Sequence, residues 1–257
     1  MYFYGIIQQM KKILLLLLAV VSLTSCQITE RFYLQESGAV KYETEINFSE
    51  MMGFVYDQNT KDSLRRIGEF PIDTLINFAD LEKFDQFKSD TLSEAEKEFM
   101  RSMNKTKVRM VMSDTEGKMV IGIDEKDVSS FNSYLKKMNQ SLSKLEKEDP
   151  KAAGDLAQSG LMNALEIKFD GNKFQRLASN YMTGYFDELD DSTAESSRQM
   201  MQMFEYKMEY HFPKRIKKSS IENATFSLDG KTMTIEVPMS ELLDNPEKYN
   251  FTVELDK

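Results

Sequence analysis

Apolar and polar positions alternate strictly from Val40 to Phe48, with Val40, Tyr42, Thr44, Ile46 and Phe48 on one face. That period of two belongs to a half-buried strand. Gln27 to Leu34 alternates more loosely and ends at Glu36-Ser37-Gly38, a turn signal. The two segments read as a β-hairpin with one solvated face. The pattern returns in Thr106–Ser113 and Lys118–Asp124 around Thr115-Glu116-Gly117, and in Leu165–Asp170 and Lys173–Ala178 around Asp170-Gly171-Asn172. It returns again in Asn223–Leu228 and Lys231–Val237 around Asp229-Gly230, a strong hairpin turn. Tyr206, Met208, Tyr210 and Phe212 alternate as a further strand stopped by Pro213, and Tyr249–Leu255 reads as the last one.

Helical spacing appears between the hairpins. Ser49 is expected to cap a short helix carrying Met51, Met52, Phe54 and Val55. Residues 59–88 are irregular, with Pro71 inside them, and Ile72, Leu75, Ile76, Phe78 and Ala79 suggest one helical segment. Ser93 and Glu96 fit a capping box opening a helix to about Asn104. Asp127 caps a long amphipathic helix on which Val128, Phe131, Tyr134, Leu135, Met138, Leu142 and Leu145 recur, ending before Pro150. Asp187–Ser197 reads as an acidic loop entering a helix that bears Met200, Met201, Met203 and Phe204, and Ser240–Leu243 as a short helical piece. Hairpins outnumber parallel crossovers, so the expected class is α+β: an antiparallel sheet of hairpins with inserted amphipathic helices.

The chain begins differently. Lys11 and Lys12 precede an apolar run from Ile13 to Val21, followed by Leu23, Thr24, Ser25 and Cys26. Positive, apolar and small-residue parts in that order form a secretory signal. The apolar stretch is about half of the roughly 20 residues a membrane-spanning helix needs. Met10-Lys11-Lys12 before leucines is the compact form of such signals, so Met10 reads as their start. Leu23-Thr24-Ser25-Cys26 resembles the lipobox of bacterial lipoproteins. The resemblance implies a diacylglyceryl group on the Cys26 thiol, cleavage before Cys26 and acylation of the new amino group. Residues 1–25 are then a signal peptide and 26–257 a mature lipid-anchored domain, with a sub-boundary in the charged, small-residue stretch near 147–160. Two or more acyl chains anchor stably where a single one binds reversibly.

Composition narrows the rest. The net charge is −9; removing Lys11 and Lys12 leaves 31 basic against 42 acidic residues, or −11. Such acidity argues against a nucleic-acid partner, which requires basic patches. Cys26 is the sole cysteine, so a disulfide or catalytic thiol in the mature domain is excluded. His211 is the sole histidine, so a multi-histidine zinc site is not expected and no metal or cofactor is assigned. No Gly-x-Ser-x-Gly elbow accompanies His211, which reads as a sheet residue. The acidic group Asp187, Glu188, Asp190 and Asp191 lacks the spacing and glycine of an EF-hand loop and reads as a solvated loop or cap. The 18 methionines read as core filler, with an adaptable groove lined by Met200, Met201, Met203 and Phe204 as the sharper alternative. Lys214, Arg215, Lys217 and Lys218 form a basic cluster in an acidic chain: a solvated connection between strands, or a contact for lipid headgroups or an acidic partner.

The hairpin after the lipobox, with Gln35-Glu36-Ser37-Gly38 and Ser49-Glu50-Met51-Met52, resembles uncharacterised lipoproteins of Bacteroidota. So does the end of the chain, Tyr210-His211-Phe212-Pro213, Ile216 and Asp229-Gly230-Lys231-Thr232. It is similar also to LppM-type lipoproteins, which implies lipid or glycolipid binding. The likeness implies an exported α+β domain and supplies no catalytic residues. In Gram-negative lipoproteins aspartate after the lipidated cysteine tends to retain the protein in the inner membrane; Gln27 implies the outer membrane, and the sparse acidity nearby its periplasmic leaflet. The expectation is a palmitate-type anchor and a non-enzymatic binding or interaction module for a lipid or an envelope protein. An envelope hydrolase using paired carboxylates and a structural subunit of an envelope assembly are the alternatives.

Overall fold

The computed structural model describes residues 26–52, 57–83, 92–149, 165–178, 195 and 204–257. Twelve strands in the described residues form two sheets. The larger contains β1 (Cys26–Leu34), β2 (Val40–Asn47), β3 (Ile72–Asn77), β4 (Thr106–Met112), β5 (Gly117–Glu125), β8 (Phe204–His211), β10 (Thr225–Phe226) and β11 (Thr232–Pro238), in the order β10-β11-β8-β1-β2-β5-β4-β3. The smaller contains β6 (Leu165–Phe169), β7 (Lys173–Ala178), β9 (Ile216–Ser219) and β12 (Phe251–Leu255), in the order β6-β7-β12-β9. Four α-helices are described: α1 (Gln58–Arg66), α2 (Glu94–Ser102), α3 (Val128–Glu148) and α4 (Met239–Asp244). The class is α+β with largely antiparallel sheets; β1 and β8, 178 residues apart at Cys26↔Phe204, pair in parallel.

The alternation of apolar residues fixes which face of each strand is buried. Phe32, Leu34, Val40, Tyr42, Ile121, Ile123, Met208, Tyr210, Met233 and Ile235 point inward from the larger sheet. Over β8, β1 and β11 the smaller sheet covers this face: Phe174 meets the rings of Phe32, Tyr210 and Phe212 at 5.1–5.7 Å. Over β2, β5 and β4 the cover is α2 and α3, with Phe131 edge-on to Phe32 at 5.6 Å. Both caps form as their sequences predict. Ser93 and Glu96 exchange hydrogen bonds with each other's backbone N–H, and Asp127 accepts from the Ser130 N–H at 2.7 Å. The smaller sheet's outer strand, β6, would expose peptide groups along α3. There the Asn132 amide imitates a neighbouring strand, donating to the Ile167 carbonyl at 2.6 Å and accepting the Ile167 N–H at 3.0 Å.

Three local expectations give way. Ile72–Asn77 is the edge strand β3, not a helix, followed by a 3-10 turn at Phe78–Lys83. Its spacing suits either element, but pairing with β4 from Ile72↔Met112 to Asn77↔Lys107 decides for a strand, and Leu75 faces solvent. Ser49 does not cap: it lies inside a 3-10 turn, and its hydroxyl ties to Gly117, accepting the N–H at 3.1 Å and donating to the carbonyl at 3.3 Å. A side chain on Gly117 would meet Met52 Sδ at 2.5 Å and the Phe48 ring at 2.6 Å, so only glycine fits this crossing. Finally, Phe204 belongs to strand β8 rather than to a helix.

Candidate functional site

Cys26 is the first residue of β1, in register with Phe204 of β8, while Gln27 is already opposite Asn47 of β2. No spacer separates the lipobox cysteine from a central strand. The strands therefore define two ends of the domain. Cys26, the end of β2 and the start of β8 mark the anchored end; Leu34, His211 and the turns beyond them mark the far end. Leu23, Thr24 and Ser25 lie outside the described residues, as do Met200, Met201 and Met203 of the proposed groove and the acidic group from Asp187 to Asp191. Phe204 is half-buried and packs against the main core. Among the described residues no helix is long and apolar enough to cross a membrane.

Between the sheets lies a polar cluster that the sequence reading passed over. Glu30 is 0% and Arg176 3% exposed. The Tyr206 hydroxyl donates to Glu30 Oε2 at 2.8 Å, and the Tyr210 hydroxyl donates to Oε1. Arg176 donates from Nε to the Tyr210 oxygen at 2.7 Å, from Nη1 to the Tyr249 carbonyl at 3.2 Å and from Nη2 to Glu30 at 3.5 Å. Burial, reinforced by the Glu30 charge, pushes both tyrosines well above their ordinary pKa. Burial alone would lower Arg176, but Tyr210 and Glu30 outweigh it and hold it raised. This cluster stitches β1 and β8 to β7. Its signal in the sequence is phase: Glu30 stands on the inward face between Ile28 and Phe32, and Arg176 two residues after Phe174.

The opposite face of the larger sheet is a solvated charge lattice. Arg31 reaches Glu45 and Glu209, each at 3.0 Å; Lys118 adds to Glu45 at 3.2 Å and Lys207 to Glu209 at 2.8 Å. Burial raises the Glu209 pKa, but Lys207 and Arg31 outweigh it and leave it lowered. At the far end of this face His211 stacks on Tyr33, ring centroids 4.3 Å apart, with Nδ1 3.1 Å from the Thr232 hydroxyl. Its Nε2 is buried without a partner, and burial holds the imidazole pKa below its usual value. His211 is thus the last residue of β8 within a sheet.

A crevice of about 1170 Å³ lies between α3 and the β6–β7 hairpin. It follows α3 from Ser129 to Lys147, about 27 Å at the helical rise. Leu135, Leu165, Leu177 and Ala178 supply apolar lining; Asn139, Gln140, Lys136 and Lys147 supply a polar rim. The two carboxylates among its described lining residues, Glu98 and Glu166, face Lys144 at 2.6 Å and Lys168 at 3.6 Å. Since Arg176 sits beside Glu30 and Phe174 beside Phe32, β7 descends toward the anchored end, and Leu165, Ala178 and Lys147 lie on that side. Among the described residues no three metal-ligating side chains come together.

Lys214 and Arg215 lie in a solvated connection after β8, as expected, but Lys217 and Lys218 do not. Lys217 and Lys218 belong to β9, which pairs with β12 through Lys218↔Glu254 and Ile216↔Leu255. Sequence reading missed this four-residue edge strand because lysines replace its apolar face. All four cations are exposed, and among the described residues none has a carboxylate within 4.0 Å; Lys214 Nζ donates to Asn172 Oδ1 at 3.5 Å. The segment touches the β10–β11 turn at Arg215 and at Ile216, whose N–H donates to the Gly230 carbonyl at 2.8 Å.

The pattern of the prokaryotic membrane lipoprotein lipid attachment site matches residues 10–27. Among solved structures, the NMR structure of the folded domain of LppM from Mycobacterium tuberculosis is similar. It has a TM-score of 0.39 and 8% identity over 90% of this chain and 89% of that one. No curated protein matches the sequence. The attachment site marks the chain as a membrane-anchored lipoprotein.

Proposed function

We propose that the chain is a non-enzymatic binding module of the cell envelope that holds a lipid in the crevice beneath α3 while acylated Cys26 keeps it on the membrane. The crevice carries this reading. It is long, apolar along Leu135, Leu165 and Leu177, and rimmed by amides and by Lys136 and Lys147. An acyl chain would meet the leucines and a phosphate or hydroxylated headgroup the rim. Its approach to the anchored end gives a lipid a short path from the bilayer. Gln27 in place of aspartate favours the outer membrane, and the sparse acidity after Cys26, with only Glu30 nearby, favours its periplasmic leaflet. A hydrolase would need two carboxylates facing one substrate, and pairing of Glu98 and Glu166 with lysines supports the binding role over that alternative.

The test is intact mass and native mass spectrometry of protein extracted from membranes. The expected result is a chain beginning at acylated Cys26 with a lipid retained on the folded domain, and loss of that lipid in Leu177→Asp, at a half-buried position, with an unchanged circular-dichroism spectrum. A domain that never retains lipid, or a variant that keeps it, overturns the crevice assignment. Unmodified Cys26 overturns the anchor.

A further inference from the structure

The β10–β11 turn carries an apolar tip that the lipid-binding reading leaves unused. Leu228 is fully exposed and Phe226 half-exposed, whereas most large apolar side chains of these sheets are buried. The tip is stiff. The Gly230 N–H donates to the Ser227 carbonyl at 2.9 Å, the Ser227 N–H to the Thr232 carbonyl at 3.0 Å and the Thr232 N–H to the Ser227 hydroxyl at 2.9 Å. Asp229 accepts the Lys231 N–H at 3.0 Å, and Gly230 takes a φ of +68°. Arg215 lies across Gly230 so closely that a side chain there would come within 2.9 Å of its Cγ. A rigid exposed leucine loses little freedom on binding. Arg215 stands against the turn, and Lys214, Lys217 and Lys218 lie within three residues of Arg215; among the described residues none of the four has a carboxylate within 4.0 Å, in a chain of net charge −9.

Position selects the partner. β1 starts at Cys26, and nine residues of strand place the far end about 30 Å away. β8 runs parallel to β1 and β11 antiparallel to β8, with Thr232 opposite His211, so the 228–230 turn projects beyond that far end. The anchoring bilayer lies at the other. We propose that this end is a docking surface for an acidic envelope protein whose carboxylates meet the cations while an apolar depression receives Leu228. The proposal rests on the anchored-lipoprotein reading, which sets the orientation.

The experiment uses the full acylated chain in neutral phosphatidylcholine nanodiscs, with an environment-sensitive dye on Leu228→Cys, the free thiol of the acylated protein. Two probes are added separately: a soluble glutamate–leucine copolymer and phosphatidylglycerol vesicles. The expected result is a blue shift with the copolymer, weakened about tenfold or more by Lys214→Glu/Arg215→Glu/Lys217→Glu/Lys218→Glu or by raised salt, and none with vesicles. Thermal melting of the reversed variant checks its fold; if it melts early, Lys→Gln and Arg→Gln replacements take its place and should weaken binding less steeply. A response to vesicles makes the surface a membrane contact and overturns the proposal, as does silence toward both probes or indifference to the charges. Failure of the protein to enter nanodiscs counts against the anchor instead, and is read before any probe is added.

Discussion

Replacing Arg176 by methionine should destabilise the domain by about 3–5 kcal/mol, the cost of removing one partner from a buried ion pair. The structure shows where that cost arises. The variant loses bonds to Tyr210 at 2.7 Å, to the Tyr249 carbonyl at 3.2 Å and to Glu30 at 3.5 Å. It leaves the Glu30 carboxylate at zero exposure, with tyrosine hydroxyls but no cation beside it. The Arg176–Glu30 contact is the longest of the three, so the penalty is chiefly that of an uncompensated buried charge. Glu30→Gln in the same chain should therefore recover part of the loss: the double variant should lose at least about 1 kcal/mol less than the sum of the two single losses. Urea unfolding of the acylated protein in micelles, followed by far-UV circular dichroism, gives each term, and an unchanged slope confirms that the native state stays compact. A loss below about 1 kcal/mol for Arg176→Met, or additivity within about 0.5 kcal/mol, would refute the account.

Two further perturbations probe other parts of the fold. Asn132→Ala removes the amide that brackets Ile167 and should cost about 1–3 kcal/mol, with faster hydrogen exchange at Ile167 and slow self-association in gel filtration as β6 becomes an open edge; unchanged exchange at Ile167 contradicts this. The His211 pKa is lowered in the fold by burial, so the neutral ring's contribution to stability is complete above the unfolded value of about 6.5 and is lost as pH falls from there through the lowered folded value. His211→Phe keeps a ring on Tyr33 but cannot titrate, and its urea midpoint should fall less between pH 7.5 and 5.5 than that of the parent; equal falls would refute the assignment.

What the sequence reveals depends on how local the cause is. The β1–β2, β4–β5, β6–β7 and β10–β11 hairpins are legible because alternation and turn residues act within a dozen positions, and α2 and α3 because their caps and apolar stripes do. β3 and β9 are edge strands, whose exposed residues carry little alternation: Leu75 points outward, and Lys217 and Lys218 break the apolar phase. The parallel β1–β8 pair and the covering of one sheet by another join distant segments and leave no local trace. Of the candidate site, Cys26 and the cation cluster are readable as motifs. The crevice exists only once α3 lies against β6, and the Glu30–Arg176 cluster only once the two sheets close. Glu30 and Arg176 nevertheless show themselves as charged residues in apolar phase.

The direct passage from Cys26 into β1 also decides how the domain bears load. A pull between the bilayer and the far end runs along the axis of a strand flanked by β2 and β8. Ladder hydrogen bonds lie across that axis, so the force meets many of them side by side in shear rather than opening them one after another. The inter-sheet cluster grips the same strand at Glu30, four residues from the anchor. The lipid tether is thus fastened to the part of the fold best built to resist traction, and a hairpin edge such as β10–β11 would peel long before β1 slid free.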